Sequence, residues 1–110
     1  RFGAHTMTHP VVGRCDDQRA EWEIGASLAA LRKQVSNPSD LFCYPVGRDG
    51  DFGVREFDIL RRHGMKWALS AVPGCMPSPQ LVDRDPTWRL RIPRYAADER
   101  RGGVLRMFLN

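Results

Sequence analysis

Two periodicities alternate along the chain, and this alternation restricts the fold more than any other feature of the sequence. After Asp16 or Asp17, either of which can cap a helix, apolar residues recur at helical spacing. These residues are Ala20, Ile24, Leu28, Leu31 and Val35. The pattern predicts a helix with one buried face, which ends near the Ser-Asn-Pro of residues 36–38.

Short apolar runs separated by turn residues continue the alternation. We expect strands at 41–44, 65–72 and 89–92, helices at 54–63 and from Asp98 onward, and an irregular loop at 73–86. Gly64 follows the second helix, as a C-cap does. Strands that alternate with helices favour a parallel α/β sheet, either open or closed into a barrel. In such sheets the loops after the carboxyl ends of the strands supply the functional site.

The composition is that of a globular domain and argues against several classes of protein. Apolar residues make up 42% of the chain and charged residues 27%, values that do not suit a disordered segment. No apolar run reaches the roughly 18 residues that cross a bilayer, so we expect no membrane span. The net charge of +4 would suit an anionic partner such as a cell-wall polymer. The arginines are scattered without interleaved aromatic residues, which predicts no nucleic-acid partner.

Three cysteines, Cys15, Cys43 and Cys75, cannot all pair within one chain. They form no C-x-x-C motif, so neither a zinc ribbon nor a thioredoxin-type site is indicated. Cys43 belongs to an apolar run, and we expect it to be a small buried residue. A Cys nucleophile paired with His63 is the weaker interpretation, because His63 precedes Gly64 and an imidazole is common at a helix end. We expect no intramolecular disulfide.

Two histidines, His5 and His9, lie four residues apart in the sequence His-Thr-Met-Thr-His-Pro. Two imidazoles at this spacing can face one divalent metal ion. Pro10 keeps the second histidine out of a helix interior, which distinguishes the pair from a helical H-E-x-x-H site. The spacing alone is also compatible with ordinary polar residues at a strand end. Thr6 and Thr8 could orient an imidazole by hydrogen bonding or could simply fill the strand end.

A second segment, at residues 41–47, is an apolar run that ends in Pro and Gly and predicts a buried strand with a tight turn. Together, His5-Thr6-Met7-Thr8-His9 and Phe42-Cys43-Tyr44-Pro45-Val46-Gly47 resemble the second and third motifs of polysaccharide deacetylases, the NodB-homology carbohydrate esterases of family four. Residues 60–70 and 90–94 look like later parts of that family, so the resemblance covers roughly residues 2 to 94. Cys43 and Val46 replace the arginine and the aromatic residue of the main branch, and the chain is more similar to a variant branch.

The resemblance implies a fold and a division of the catalytic domain. The fold would be a partial distorted (β/α) barrel of the NodB type with parallel strands, because a complete barrel typically needs about 200 residues or more. The first motif of the family, T-F-D-D-G, supplies the catalytic base and a carboxylate metal ligand, and it would lie upstream of Arg1. We therefore expect residues 1–110 to be the C-terminal part of a single catalytic domain, completed by a missing N-terminal segment.

The resemblance also assigns roles to individual residues. His5 and His9 would bind zinc or another divalent metal ion, and the backbone N–H of Val46 would stabilise an oxyanion. The contacts with the substrate would fall on Tyr44, Pro45 and Arg94. Zinc with an open position lowers the pKa of its bound water to about 7, so a hydroxide is available to attack an acetyl group at neutral pH. The resemblance implies that the catalytic acid and base lie outside residues 1–110.

These features predict a metal-dependent hydrolase that removes N-acetyl, or O-acetyl, groups from a polysaccharide or cell-wall glycan. Such an enzyme acts on carbon–nitrogen bonds other than peptide bonds, and the resemblance favours an extracytoplasmic or cell-envelope location. Two alternatives stay open: a catalytically silent glycan- or partner-binding module with the same fold, and a metal-dependent amidohydrolase that acts on a small molecule. An acid pair upstream, such as T-F-D-D-G, favours the enzyme.

Overall fold

Two parallel strands form the centre of the structure, a computed structural model that describes residues 1–95. Strand β1 spans Leu41–Cys43 and strand β2 spans Trp67–Leu69, with Phe42 opposite Ala68. Both of these central residues are completely buried. The connection between the strands contains a helix, as parallel pairing requires.

One bridge on each side extends this pair. Ala4 forms an isolated parallel bridge with Phe42, and Ile92 forms one with Leu69. Four parallel chain segments thus lie side by side in their order along the chain. Their carboxyl ends, and the loops that follow them, meet at one edge of the sheet. The expected parallel α/β arrangement is confirmed, whereas the described residues form a small open sheet, and no full barrel is seen among them.

Helix α1 (Asp17–Gln34) connects the first segment to β1, and it confirms the helix that the apolar spacing predicts. Asp16 is its N-cap, with a side-chain oxygen that accepts a hydrogen bond from the Arg19 N–H at 2.7 Å. The buried face of the helix consists of Ala20, Glu23, Ile24, Ser27 and Leu28. Burial of the two large aliphatic side chains in this set contributes roughly 1.5 to 3 kcal/mol each to folding.

Helix α2 (Val54–Arg62) connects β1 to β2 and also agrees with its predicted position. Its first turn is capped by Glu56, whose carboxylate accepts a hydrogen bond from the Gly53 N–H at 2.8 Å. His63 is its C-cap, and the positive φ of 78° at the next residue, Gly64, explains the glycine there. Helices α1 and α2 pack against each other beside the strands.

The chain after α2 departs from the sequence predictions. The strand expected at 65–72 has only three residues, and the loop expected at 73–86 contains helix α3 (Pro79–Arg84). Proline at the first helical position is compatible with a helix because its missing N–H has no helical partner to lose. The terminal helix expected from Asp98 lies outside the described residues.

The prediction of a last strand at 89–92 is wrong. Trp88–Leu90 forms a 3-10 turn, and only Ile92 pairs with β2. The carboxylate of Asp85 accepts hydrogen bonds from the N–H and the hydroxyl of Thr87, at 3.0 and 2.6 Å, and so favours a turn at this point. Among residues 1–95, no helix has the length and apolar character to cross a membrane.

Candidate functional site

His5 and His9 follow the first segment of the sheet and lie together at its carboxyl end. Their ring centroids are 4.9 Å apart, with an angle of 70° between the ring planes. Two imidazoles that bind one tetrahedral zinc ion at about 2.0 Å have centroids roughly 5 Å apart. The observed separation is therefore compatible with a shared metal ion, and both residues are exposed.

One hydrogen bond sets the ring orientation of His5. Its Nδ1 lies 2.7 Å from the carbonyl oxygen of Cys43 in β1. Because a carbonyl oxygen only accepts hydrogen bonds, Nδ1 carries the proton and Nε2 of the neutral ring keeps its lone pair. Metal-binding histidines commonly donate their second ring N–H in this way. Nε2 of His5 is thus the atom that would bind a metal ion.

The loop that carries the two histidines contains two residues with a left-handed backbone conformation, Thr6 and His9. The φ angles of Thr6 and His9 are 69° and 62°, which is uncommon for residues other than glycine. The Thr6 hydroxyl accepts a hydrogen bond from the His9 N–H at 3.1 Å and closes the turn. Thr6 therefore positions His9 through its backbone.

The same loop is anchored by Glu23, a buried carboxylate on α1 for which we made no sequence prediction. Its Oε2 accepts hydrogen bonds from the N–H groups of Met7 and Thr8, both at 2.9 Å. Its Oε1 accepts from the Thr8 hydroxyl at 2.5 Å and from Nε of Arg19 at 2.8 Å. One sequence signal could have found it: Glu23 lies three residues after Ala20, on the otherwise small and apolar face of the helix.

Neighbouring groups stabilise the ionised form of the Glu23 carboxylate. Burial by itself would raise the pKa of this carboxyl group, but hydrogen bonds from Thr8, Arg19 and Met7 outweigh burial and lower the pKa below its usual 4.5. Arg19 supplies the opposite charge, with Nη2 at 2.7 Å from Oε1 of Glu23. The same Nη2 donates to the Thr8 hydroxyl at 2.9 Å. Glu23, Thr8 and Arg19 thus form one hydrogen-bonded cluster beneath the loop.

The turn after β1 carries the predicted oxyanion donor. The Gly47 N–H donates to the Pro45 carbonyl oxygen at 2.6 Å, which makes a three-residue turn centred on Val46. The φ of Val46 is 61°, a strained value for a β-branched residue. Strain of this kind is often retained at functional sites. Within residues 1–95, the Val46 N–H has no assigned acceptor, and the residue is 43% exposed.

Tyr44 and Pro45, the expected substrate contacts, are both buried among the described residues. Tyr44 is 1% exposed, its hydroxyl donates to the Leu90 carbonyl oxygen at 2.7 Å, and its ring stacks on Phe52 at a centroid distance of 4.3 Å. Pro45 is completely buried. A direct substrate contact by either side chain would require the core to open. Both residues directly precede Val46, and their burial fixes the start of its turn in the core.

Arg94 lies at the same end of the sheet, where its side chain contacts Cys43. Its Nη1 donates to Sγ of Cys43 at 3.5 Å, while the carbonyl oxygen of Cys43 accepts from His5. Arg94 and His5 therefore contact one residue, from its side chain and its backbone. Arg94 is exposed, so its guanidinium group is accessible to a substrate. Cys43 is half-buried, not fully buried as the sequence suggested.

His5 and His9 are the two candidate metal ligands that the described residues provide at this site. Among residues 1–95, no group of three or more His, Cys, Asp or Glu side chains is placed to hold a metal ion. Catalytic zinc sites ordinarily have three protein ligands and an open position. A cavity of about 360 Å³ also opens at this end of the sheet, and its lining includes Val72, Trp88, Arg91 and Pro93 but neither histidine.

Comparisons with models of protein families, with curated proteins and with solved structures find no match to this chain. A function can therefore be argued only from the residues themselves. The strongest features are the paired imidazoles of His5 and His9, the strained turn at Val46 and the buried carboxylate of Glu23.

Proposed function

We propose that the chain is part of a zinc-dependent polysaccharide deacetylase in which His5 and His9 bind the metal ion. The observation that supports this most directly is the pair of imidazoles 4.9 Å apart, with Nδ1 of His5 bonded to a backbone carbonyl and Nε2 available. The donor set fits zinc as two of its ligands. As the resemblance implies, a carboxylate ligand and the catalytic base would come from a T-F-D-D-G motif, which residues 1–110 do not contain.

The residues of this chain would bind and orient the reactants. Zinc at this site supplies a water of lowered pKa and a positive charge beside the acetyl carbonyl group. The Val46 N–H donates to the carbonyl oxygen as negative charge develops there, an interaction worth roughly 10² to 10³ in rate. The Arg94 guanidinium binds hydroxyl groups of the glycan or holds a catalytic carboxylate.

A zinc titration of the chain tests the metal site. The wild-type chain should bind one Zn²⁺, and both His5→Ala and His9→Ala should weaken binding by at least about tenfold, because each removes a ligand. His63→Ala is the matched control, since Nε2 of His63 lies 2.6 Å from Oε1 of Glu21, between α1 and α2. Zinc binding that is equal in all four proteins would refute the assignment of the ligands.

Acetate release from N-acetylglucosamine oligomers tests the reaction. The protein to assay is a longer form that carries a T-F-D-D-G segment before residue 1, supplied with zinc, and the His5→Ala variant of that form should lose most of the activity. The 110-residue chain alone should release no acetate, because the base would be absent. Zinc binding without hydrolysis by the longer protein would favour the silent glycan-binding module, and hydrolysis restricted to small N-acyl compounds would favour the amidohydrolase.

A further inference from the structure

The Glu23 carboxylate is fully buried, and the proposed metal binding by His5 and His9 does not by itself explain this burial. Carboxylates are rarely buried completely, because removing their charge from water is unfavourable. The Glu23 side chain nevertheless has no exposed surface. Glu21, two residues earlier on the same helix, shows the usual arrangement: it is half-buried and binds His63 and Arg62 of the α2 region at the surface.

The partners of Glu23 indicate what this buried charge does. Three of its four hydrogen bonds come from Met7 and Thr8, between the two histidines, and the fourth comes from Arg19, which itself donates to Thr8. No donor from the sheet or from α2 is assigned to it within the described part of the chain. Its interactions are therefore directed at the loop of residues 5–9, which we call the histidine loop.

The loop has little else to hold its shape. Met7 is 45% exposed, and Thr8 and His9 are also exposed, so burial of apolar surface contributes little there. Thr6 and His9 both have positive φ angles, which residues with a Cβ adopt only when the surroundings impose them. The carboxylate of Glu23 fixes the two peptide N–H groups between these strained positions.

We infer that Glu23 is the positioning residue of the metal site, whose carboxylate holds the loop in the conformation that lets His5 and His9 face one ion. This inference rests on the proposed function for the identity of the metal. Glu23 is not a ligand in it, because both of its oxygens already accept hydrogen bonds from the loop and from Arg19. It acts on the metal only through Met7 and Thr8.

The test compares Glu23→Gln with Glu21→Gln, two substitutions that remove the same charge from the same helix. Glutamine keeps the shape of glutamate but has one accepting oxygen, and its NH₂ group would oppose Nε of Arg19 or the loop N–H groups. Glu23→Gln should weaken Zn²⁺ binding by about tenfold or more, as loss of an orienting partner typically does. Glu21→Gln should change it by less than about twofold on the same scale.

A second readout needs no metal. In the metal-free wild-type chain, NMR should detect dipolar contact between the ring protons of His5 and His9, whose centroids are 4.9 Å apart. That contact should disappear in Glu23→Gln and persist in Glu21→Gln, while circular dichroism shows that both variants keep their helices. A residue that merely stabilised α1 would not separate the two rings.

A second pair of variants covers the case in which Glu23→Gln does not fold. Thr8→Val removes the hydroxyl that donates to Oε1 of Glu23 but leaves both N–H groups in place, and Thr8→Ser keeps the hydroxyl. Thr8→Val should weaken zinc binding, whereas Thr8→Ser should retain the wild-type affinity. Equal affinities of these two variants would overturn the inference.

The outcomes separate this inference from the proposed function. A wild-type chain that binds no zinc overturns both. A wild-type chain that binds zinc through His5 and His9, with Glu23→Gln and Glu21→Gln equal in affinity and in ring contact, overturns the role of Glu23 and leaves the metal site in place. Selective loss in Glu23→Gln supports both.

Discussion

The Tyr44 hydroxyl donates a hydrogen bond to the Leu90 carbonyl oxygen at 2.7 Å, and this bond joins the end of β1 to the turn before Ile92. Both residues are buried. Burial, with a smaller contribution from the negative charge of Glu56, raises the pKa of Tyr44, so its hydroxyl remains a donor throughout the pH range in which proteins fold. Tyr44 thus connects the Val46 turn with the last described segment of the sheet.

Tyr44→Phe should lower the free energy of unfolding by about 1 to 3 kcal/mol, because the buried Leu90 carbonyl group loses its donor. Zinc affinity should stay within about twofold of the wild-type value, since no hydrogen bond joins Tyr44 to the histidine loop. Urea unfolding and a zinc titration measure the two effects. Unchanged stability together with a loss of glycan binding would restore Tyr44 as a substrate contact.

Val46→Gly should raise the free energy of unfolding by roughly 1 kcal/mol, because glycine adopts the observed φ of 61° without strain, and this gain exceeds its greater entropy in the unfolded chain. Hydrolysis by the longer protein should be retained, because glycine keeps the backbone N–H. Val54→Gly is the control: Val54 is exposed at the start of α2, and glycine there should be destabilising. If both variants lose stability equally, Val46 is not strained.

The unfolding free energy should decrease as the pH falls below about 4.5, in part because of Glu23. The pKa of this carboxyl group is lower in the folded chain than its usual 4.5, so its contribution is fully present above 4.5 and is lost as the pH falls through the folded value. Urea unfolding at several pH values between 3 and 7 should show a shallower decrease in Glu23→Gln than in the wild type. Identical slopes would contradict the lowered pKa.

Cys75 should be the first thiol to react with iodoacetamide in the native chain. It is exposed, whereas Cys15 and Cys43 are half-buried and their thiols lie near the carbonyl oxygens of Val11 and Tyr44. Mass spectrometry of intact protein followed by peptide mapping gives the order of modification. A deficit of two hydrogens before alkylation would reveal a disulfide and would contradict the expectation of three free thiols.

Local signals predicted the helices near the site. Asp16 as N-cap, Ile24 and Leu28 on one face of α1, and Gly64 after α2 were readable because each depends on residues within a turn or two of the helix. The elements after β2 could not be predicted from local sequence signals of this kind. Trp88 and Leu90 alternate with arginines as strand residues do, yet a 3-10 turn buries the same two side chains.

The candidate site was predictable only where its residues are close in sequence. The rings of His5 and His9 lie 4.9 Å apart, as their short separation in sequence favours, and their binding of a metal ion stays a prediction. Glu23 lies 15 residues from its partner Thr8, and no local pattern joins the two. Motif likeness also does not report burial, and Tyr44, expected to contact the substrate, is 1% exposed.

The amide protons of Met7 and Thr8 lie in an exposed loop but are bonded to a carboxylate that solvent does not reach. Exchange of either proton with water therefore requires the N–H group to separate from Oε2 of Glu23, which leaves a buried carboxylate without that donor. Opening of the loop is therefore coupled to the loss of hydrogen bonds by this buried carboxylate, and we expect the two amide protons to exchange slowly for an exposed loop. Under the proposed function, a loop held in this way would adapt little to the ion, and selection among divalent metals would depend on the fixed geometry of His5 and His9.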